Sequence, residues 1–286
     1  MTDLDRRADR APVPAGWTYA PAPESTDVVR LQERYGIYVG GEWLDTAEHF
    51  TTLAPRDESP LAEVGQASED DVHRAVAAAR EAFPAWSGLA GSERAKYLFR
   101  VARILAERSR EFAVLESLDG GKPIKESRDV DLPLAAAHFF YYAGWADKLE
   151  YAFPNRRPRP LGVAGQIIPW NFPLLMLAWK LAPALAAGNT VVLKPAETTP
   201  LTALLFCDVV RQAELPPGVV NIVTGDGSTG AALVDADVDK VAFTGSTDVG
   251  KAIQRELAGT GKKLTLELGG KAANIVFDDC ALDQAV

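Results

Sequence analysis

Cysteine is nearly missing from this sequence: Cys207 and Cys280 are the only two in 286 residues. A disulfide framework is therefore excluded as the basis of the fold, and no metal-binding cysteine pattern exists. Histidine is almost as scarce. His49, His73 and His138 stand far apart, with no spacing that would bring two rings to one ion. Positive charge is not in excess either, since 30 Lys and Arg oppose 39 Asp and Glu for a net charge of −9. A nucleic-acid partner thus gets no electrostatic support. Long apolar runs are absent as well. The longest stretch, 174–187, is broken by Lys180 and Pro183 and is too short for a bilayer. The charged N-terminus has no apolar segment of the kind a secretory signal needs. Cytoplasmic residence is the expectation, without membrane contact.

What is present is ordinary globular material, 47% hydrophobic and 24% charged, enough to build a substantial core. Residues 1–34 carry Pro12, Pro14, Pro21, Pro23 and many charges, and read as a flexible extension. Residues 36–46 suit a hairpin turning at Gly40 and Gly41. A helix is predicted over 70–83, capped by Ser68, favoured by Asp70 and Asp71 at its positive end, and stopped by Pro84. A second runs over 92–118, with Leu98, Val101, Ile104 and Leu105 on one stripe. A third spans 125–149, with Pro133 near its start or at a kink.

From Gly162 the texture changes. Apolar runs at 163–168, 190–193, 219–223 and 240–243 alternate with helical segments at 174–187, 201–213 and 249–258, and two more strands are expected at 263–268 and 273–277. Continuous apolarity marks parallel strands covered on both faces. The fold class is therefore α/β, a doubly wound, mostly parallel, Rossmann-like sheet preceded by helices. Residues 35–268 are expected to form that domain, with 269–286 opening a second, incomplete one.

Four motifs fall where such strands end. Pro169-Trp170-Asn171-Phe172-Pro173 follows the first strand, and Asn171 can donate an amide N–H to an oxyanion or cap the next helix. Lys194-Pro195-Ala196-Glu197 follows the second strand. Its two charges can reach into a crevice or simply pair with each other at a helix start. Phe243-Thr244-Gly245-Ser246-Thr247 leads into a helix whose free N–H groups suit a phosphate, although an ordinary capped turn would look the same. Leu266-Glu267-Leu268-Gly269-Gly270-Lys271 sets a glutamate at the end of an apolar strand, where partial burial would raise its pKa toward that of a general base. A fifth segment, Gly225-Asp226-Gly227-Ser228-Thr229-Gly230, is a literal G-x-G-x-x-G. No clear acidic strand end follows it at the expected distance, so it is a weak fingerprint.

The four ordered motifs closely resemble the aldehyde dehydrogenase superfamily over about residues 35–286. The resemblance implies NAD as cofactor, with NADP left open. Lys194 and Glu197 would hold the adenosine ribose, the glutamate disfavouring a 2′-phosphate. Gly245 and Ser246 would sit on the phosphates, Val249 beside the adenine, and Gly227 near the adenine side. Ile168, Pro169, Trp170, Phe243, Leu268 and Gly269 complete the implied cofactor set. Asn171 would stabilise the oxygen of the thiohemiacetal and thioester intermediates, and Glu267 would activate the deacylating water. In the family a cysteine thiolate attacks the aldehyde. Neither cysteine here holds that position: Cys207 reads as a small buried hydrophobe in a helix, and Cys280 comes only thirteen residues after Glu267. The expectation is thus the cofactor-binding half of an aldehyde-oxidising enzyme, inactive alone; the alternative is a non-catalytic dinucleotide-binding or subunit-interaction module. An aldehyde, a further copy of the chain or a C-terminal half would be its partners. The segment 146–160, which supports subunit pairing in the family, is shorter here.

Overall fold

The computed structural model describes residues 25–153, 155–156, 158–273, 275–281 and 283. After a single 3-10 turn at Thr26–Val28, the chain lays down strands β1 (Arg34–Tyr35), β2 (Ile37–Val39), β3 (Glu42–Leu44), β4 (Glu48–Leu53) and β5 (Pro60–Gln66). Helices α1 (Glu69–Gly88), α2 (Gly91–Glu107), α3 (Ser109–Gly120) and the short α4 (Ile124–Glu126) follow. A π-helical turn at Ser127–Asp131 leads into α5 (Leu132–Trp145), and α6 (Leu149–Ala152) adds one turn. Strand and helix then alternate through β6 (Val163–Ile167), α7 (Pro173–Ala186), β7 (Thr190–Lys194), α8 (Leu201–Gln212), β8 (Val220–Ile222), α9 (Gly227–Asp235), β9 (Lys240–Gly245), α10 (Thr247–Glu256) and β10 (Lys263–Leu268).

The last five strands pair in parallel in the order β10–β9–β6–β7–β8, and the β2–β3 hairpin extends the sheet antiparallel beyond β8. Successive side chains serve opposite faces. Val191 and Leu193 pack with Leu181 of α7 and Leu204 of α8, whereas Val192 packs in the cluster of Val72 from α1, Leu233 from α9 and Ile253 from α10. With both faces dry, the middle of β7, Val191–Leu193, is an unbroken apolar run, and polar residues stand only at its ends, Thr190 and Lys194. From β6 the chain winds outward to β7 and β8, then returns to the far side of β6 for β9 and β10. The direction reverses between β6 and β9, and a crevice opens outside the strand carboxyl ends there.

Several expectations need correction. Pro84 does not end α1, which continues to Gly88. Trp86 is buried and meets Tyr97 edge-on at 5.5 Å, and this anchorage outweighs the one N–H that the proline removes. The helix expected over 92–118 is two helices. Arg108 leaves helical geometry at φ −96°, ψ 15°, so that α2 packs on α5 while α3 turns to pack on α8. A three-stranded sheet in the order β1–β5–β4 was not anticipated at all. Residues 25–34 are not a loose tail, because Val29 and Leu31 pack against the core; residues 1–24 of the expected extension lie outside the described residues. No strand forms among the described residues of 273–277. Ile275 and Phe277 are each 69% exposed, with no apolar face to bury against.

Candidate functional site

The site is assembled from strand ends. β6 runs through the buried Ile167 and Ile168 into Pro169, Trp170 and Asn171, and α7 starts at Pro173 with Phe172 as its cap residue and no side-chain cap bond. Asn171 is therefore not the helix cap. Its amide is exposed, and thus free to act as a donor.

Lys194, at the end of β7, is only 4% exposed, and its Nζ donates to Glu197 Oε2 at 3.2 Å. Burial holds the lysine below its ordinary pKa, and the Glu197 carboxylate pulls it back up. The glutamate itself stays half-exposed. The pair expected as the unremarkable alternative thus does form, with one member buried and the other facing outward.

β9 ends in Phe243, Thr244 and Gly245, and the Phe243 ring lies so close over Gly245 that a Cβ there would collide with it. Ser246 then caps α10 by accepting from the Val249 N–H at 3.3 Å. A Cβ on Gly250 would run into the Leu268 side chain, so this glycine lets α10 close onto β10. At the end of β10, Thr247 Oγ1 donates to the Gly269 carbonyl at 3.3 Å. Glu267 lies in register with Thr244 of β9. It is exposed, so the burial expected to tune it is not present.

All fourteen residues singled out from the sequence line one cavity of about 1280 Å³. That exceeds the roughly 300–1,000 Å³ usual for small-molecule clefts and leaves room for an extended ligand. Sequence reasoning missed one wall. Ser68 and Glu69 at the start of α1, Val234 of α9, and Ala252, Ile253 and Glu256 of α10 also line it. The start of α1 was legible as a capped helix, but nothing local placed it beside strands a hundred or more residues later.

The G-x-G-x-x-G segment opens α9. Asp226 caps that helix, accepting from the Ser228 N–H at 2.8 Å and the Ser228 hydroxyl at 2.6 Å. Those bonds hold its carboxyl below the ordinary aspartate range, so a negative charge already sits on that helix terminus. α10 has a neutral serine in the same place. Neither cysteine lines the cavity. Cys207 is fully buried in α8, its Sγ donating to the Ala203 carbonyl at 3.6 Å, and burial pushes its thiol pKa up. Among the described residues, no group of His, Cys, Asp and Glu is arranged to hold a metal, and no helix is long and apolar enough to cross a membrane.

A model of the aldehyde dehydrogenase family matches residues 43–286. The chain belongs to the aldehyde dehydrogenase family. Aldehyde dehydrogenase family 2 member B4, mitochondrial, of Arabidopsis thaliana is 49% identical over 87% of this chain and 49% of its own length. Human retinal dehydrogenase 2 is 44% identical over 98% of this chain and 57% of its own. The NAD+ complex structure of aldehyde dehydrogenase from Bacillus cereus superposes with a TM-score of 0.83 at 43% identity, covering 88% of this chain and 54% of that one. The chain spans about half the length of the curated relatives it matches. Within this aldehyde dehydrogenase family member, the parallel sheet and its switch-point crevice account for the shared fold.

Proposed function

We propose that this chain supplies the NAD-binding part of an aldehyde dehydrogenase, an oxidoreductase that converts an aldehyde to a carboxylic acid with hydride transfer to NAD. The observation that carries this reading is the meeting of four sequence-distant motifs on one cavity at the sheet's switch point. Residues 35–268 are assigned to the cofactor-binding unit, 146–160 to a shortened subunit-pairing segment, and the chain to the cytoplasm.

The residues present suit the cofactor. Glu197 offers a half-exposed carboxylate to ribose hydroxyls, and its charge disfavours a 2′-phosphate, so NAD is preferred over NADP. Gly245 and Ser246 stand at a helix start whose cap is a neutral serine, Asp248 of the first turn being its acidic residue. They suit the pyrophosphate better than α9, where the cap itself is the Asp226 carboxylate. Val234, Val249 and Ile253 supply an apolar wall for the adenine. When bound, NAD supplies the hydride acceptor. Asn171 orients and stabilises the substrate oxygen as negative charge develops on it, and Glu267 takes a proton from water.

Neither thiol reaches this cavity, which favours a second element in the reading: these 286 residues bind the cofactor without turning over aldehyde by themselves. Incubation with NAD and a panel of aldehydes tests both parts. The expected result is saturable NAD binding by calorimetry and no aldehyde-dependent NADH. Clear turnover would overturn the account of the cysteines, and absence of NAD binding would overturn the assignment of the cavity.

A further inference from the structure

A second, smaller cavity of about 160 Å³ lies against the loop that carries Asn171. Its walls are Glu116, Gly120, Lys122, Trp170, Asn171 and Pro173. Glu116, on α3, is fully buried, and neither of its carboxyl oxygens has a hydrogen-bond partner within the protein. The Leu174 N–H, in the first turn of α7, lies near the carboxyl without closing a bond of normal geometry. Burying an unpartnered carboxyl is costly, so an orphan of this kind calls for a role. Lys122 does not satisfy it, because its Nζ is bonded to the Asp131 carboxylate and sits 3.9 Å from the Phe172 ring centroid. Glu116, Lys122 and Asn171 place polar groups on an otherwise largely apolar wall, and the cavity is larger than the roughly 10–15 Å³ that one water requires.

We propose that Glu116 is a positioning residue for Asn171: its carboxyl, bridged by water held in the small cavity, fixes the loop that presents the asparagine amide. The inference rests on the reading of Asn171 as the donor to the substrate oxygen. It adds a residue on α3, outside the four motifs and outside the large cavity. The charged groups facing Glu116 are Lys122 from the turn after α3, Asp131 from the π-helical turn and Asp119 from its own helix. Burial prevails over Lys122 and pushes the carboxyl up to about 8. At neutral pH it is therefore a neutral acid that donates an O–H to the bridging water. Loss of that proton turns the donor into an acceptor, and the hydrogen bonds reaching Asn171 must rearrange.

The test uses the full chain carrying asparagine labelled with carbon-13 at Cγ, the Asn171 signal being assigned through Asn171→Gln. Over about pH 6 to 10, a window that brackets the raised value, the Asn171 resonance is expected to shift with a midpoint near 8. The shift should be lost in Glu116→Gln. A resonance that does not move, or that moves equally in Glu116→Gln, would overturn the proposal. Should that variant fail to fold, a high-resolution crystal structure of the unsubstituted chain decides instead. A water linking Glu116 to Asn171 is expected, and a dry cavity contradicts the inference. Neither measurement needs a cofactor, so failure of NAD to bind would sink the assignment of the large cavity while leaving this result standing.

Discussion

At the scale of single residues, the site combines buried and exposed partners. Lys194 is buried and Glu197 faces out from three positions later, a juxtaposition legible in the sequence because both sit within one motif. Replacing either should weaken NAD binding roughly tenfold, the order expected for a hydrogen bond involving a charged group. Calorimetric titration of Lys194→Ala and Glu197→Ala checks this, and unchanged affinities would remove both from the site. Glu116 and Asp119 were not legible as special. Their burial depends on helices and loops brought over them by the tertiary fold, while in the sequence they look like ordinary acidic residues. Burial raises Glu116 from 4.5 to about 8. It also raises Asp119 from 3.8 to about 7, against the bonds that Asp119 accepts from Thr52 Oγ1 and the Leu201 N–H. Through these two carboxyls the folded chain binds more protons than the unfolded one between about pH 4 and 8, so their contribution to stability is greatest at the acidic side of that window and falls as pH rises through it. Within the window His138, whose pKa burial lowers, opposes them. Thermal unfolding should give a midpoint that decreases from about pH 5 to 8, with a shallower slope in Glu116→Gln. An increase over that range would contradict the assignment.

At the scale of elements, legibility followed the locality of the cause. The α1 start was readable because the capping box is closed within four residues: Ser68 accepts from the Asp71 N–H at 3.2 Å and Asp71 accepts from the Ser68 N–H at 3.0 Å. Ser68→Ala should cost about 1 kcal/mol in denaturant unfolding, and no loss would mean that the cap is redundant. The hairpin turn was readable from Gly40 and Gly41, which adopt φ of 62° and 89°. By contrast, β4 mixes exposed and half-buried positions with no clean alternation, and it is joined to β5 without an Asn-Gly type of turn. Nothing local distinguished that pair from loop. The break at Arg108 was equally silent, because competing packing partners on α5 and α8 impose it. Gly250 shows the same dependence on distant contacts. Gly250→Val would push α10 away from Leu268 and should destabilise by about 1–3 kcal/mol, the usual penalty of overpacking. A neutral outcome would show that α10 can shift without consequence.

At the scale of the whole molecule, the order β10–β9–β6–β7–β8 does what no motif does alone. It brings the ends of β6, β7, β9 and β10 to one crevice, and the fourteen residues chosen from sequence meet there. The centre of the sheet was legible because β6, β7 and β8, buried throughout, are written as largely apolar runs. The start of α1 as a cavity wall was not, since it depends on how α1 crosses the sheet. The cofactor assignment stands on this convergence, and one calorimetric experiment tests it most directly: titration of the unsubstituted chain with NAD and, separately, with NADP. One saturable site, tighter for NAD, is the predicted result. No binding of either, or tighter binding of NADP despite the Glu197 carboxylate, would contradict it.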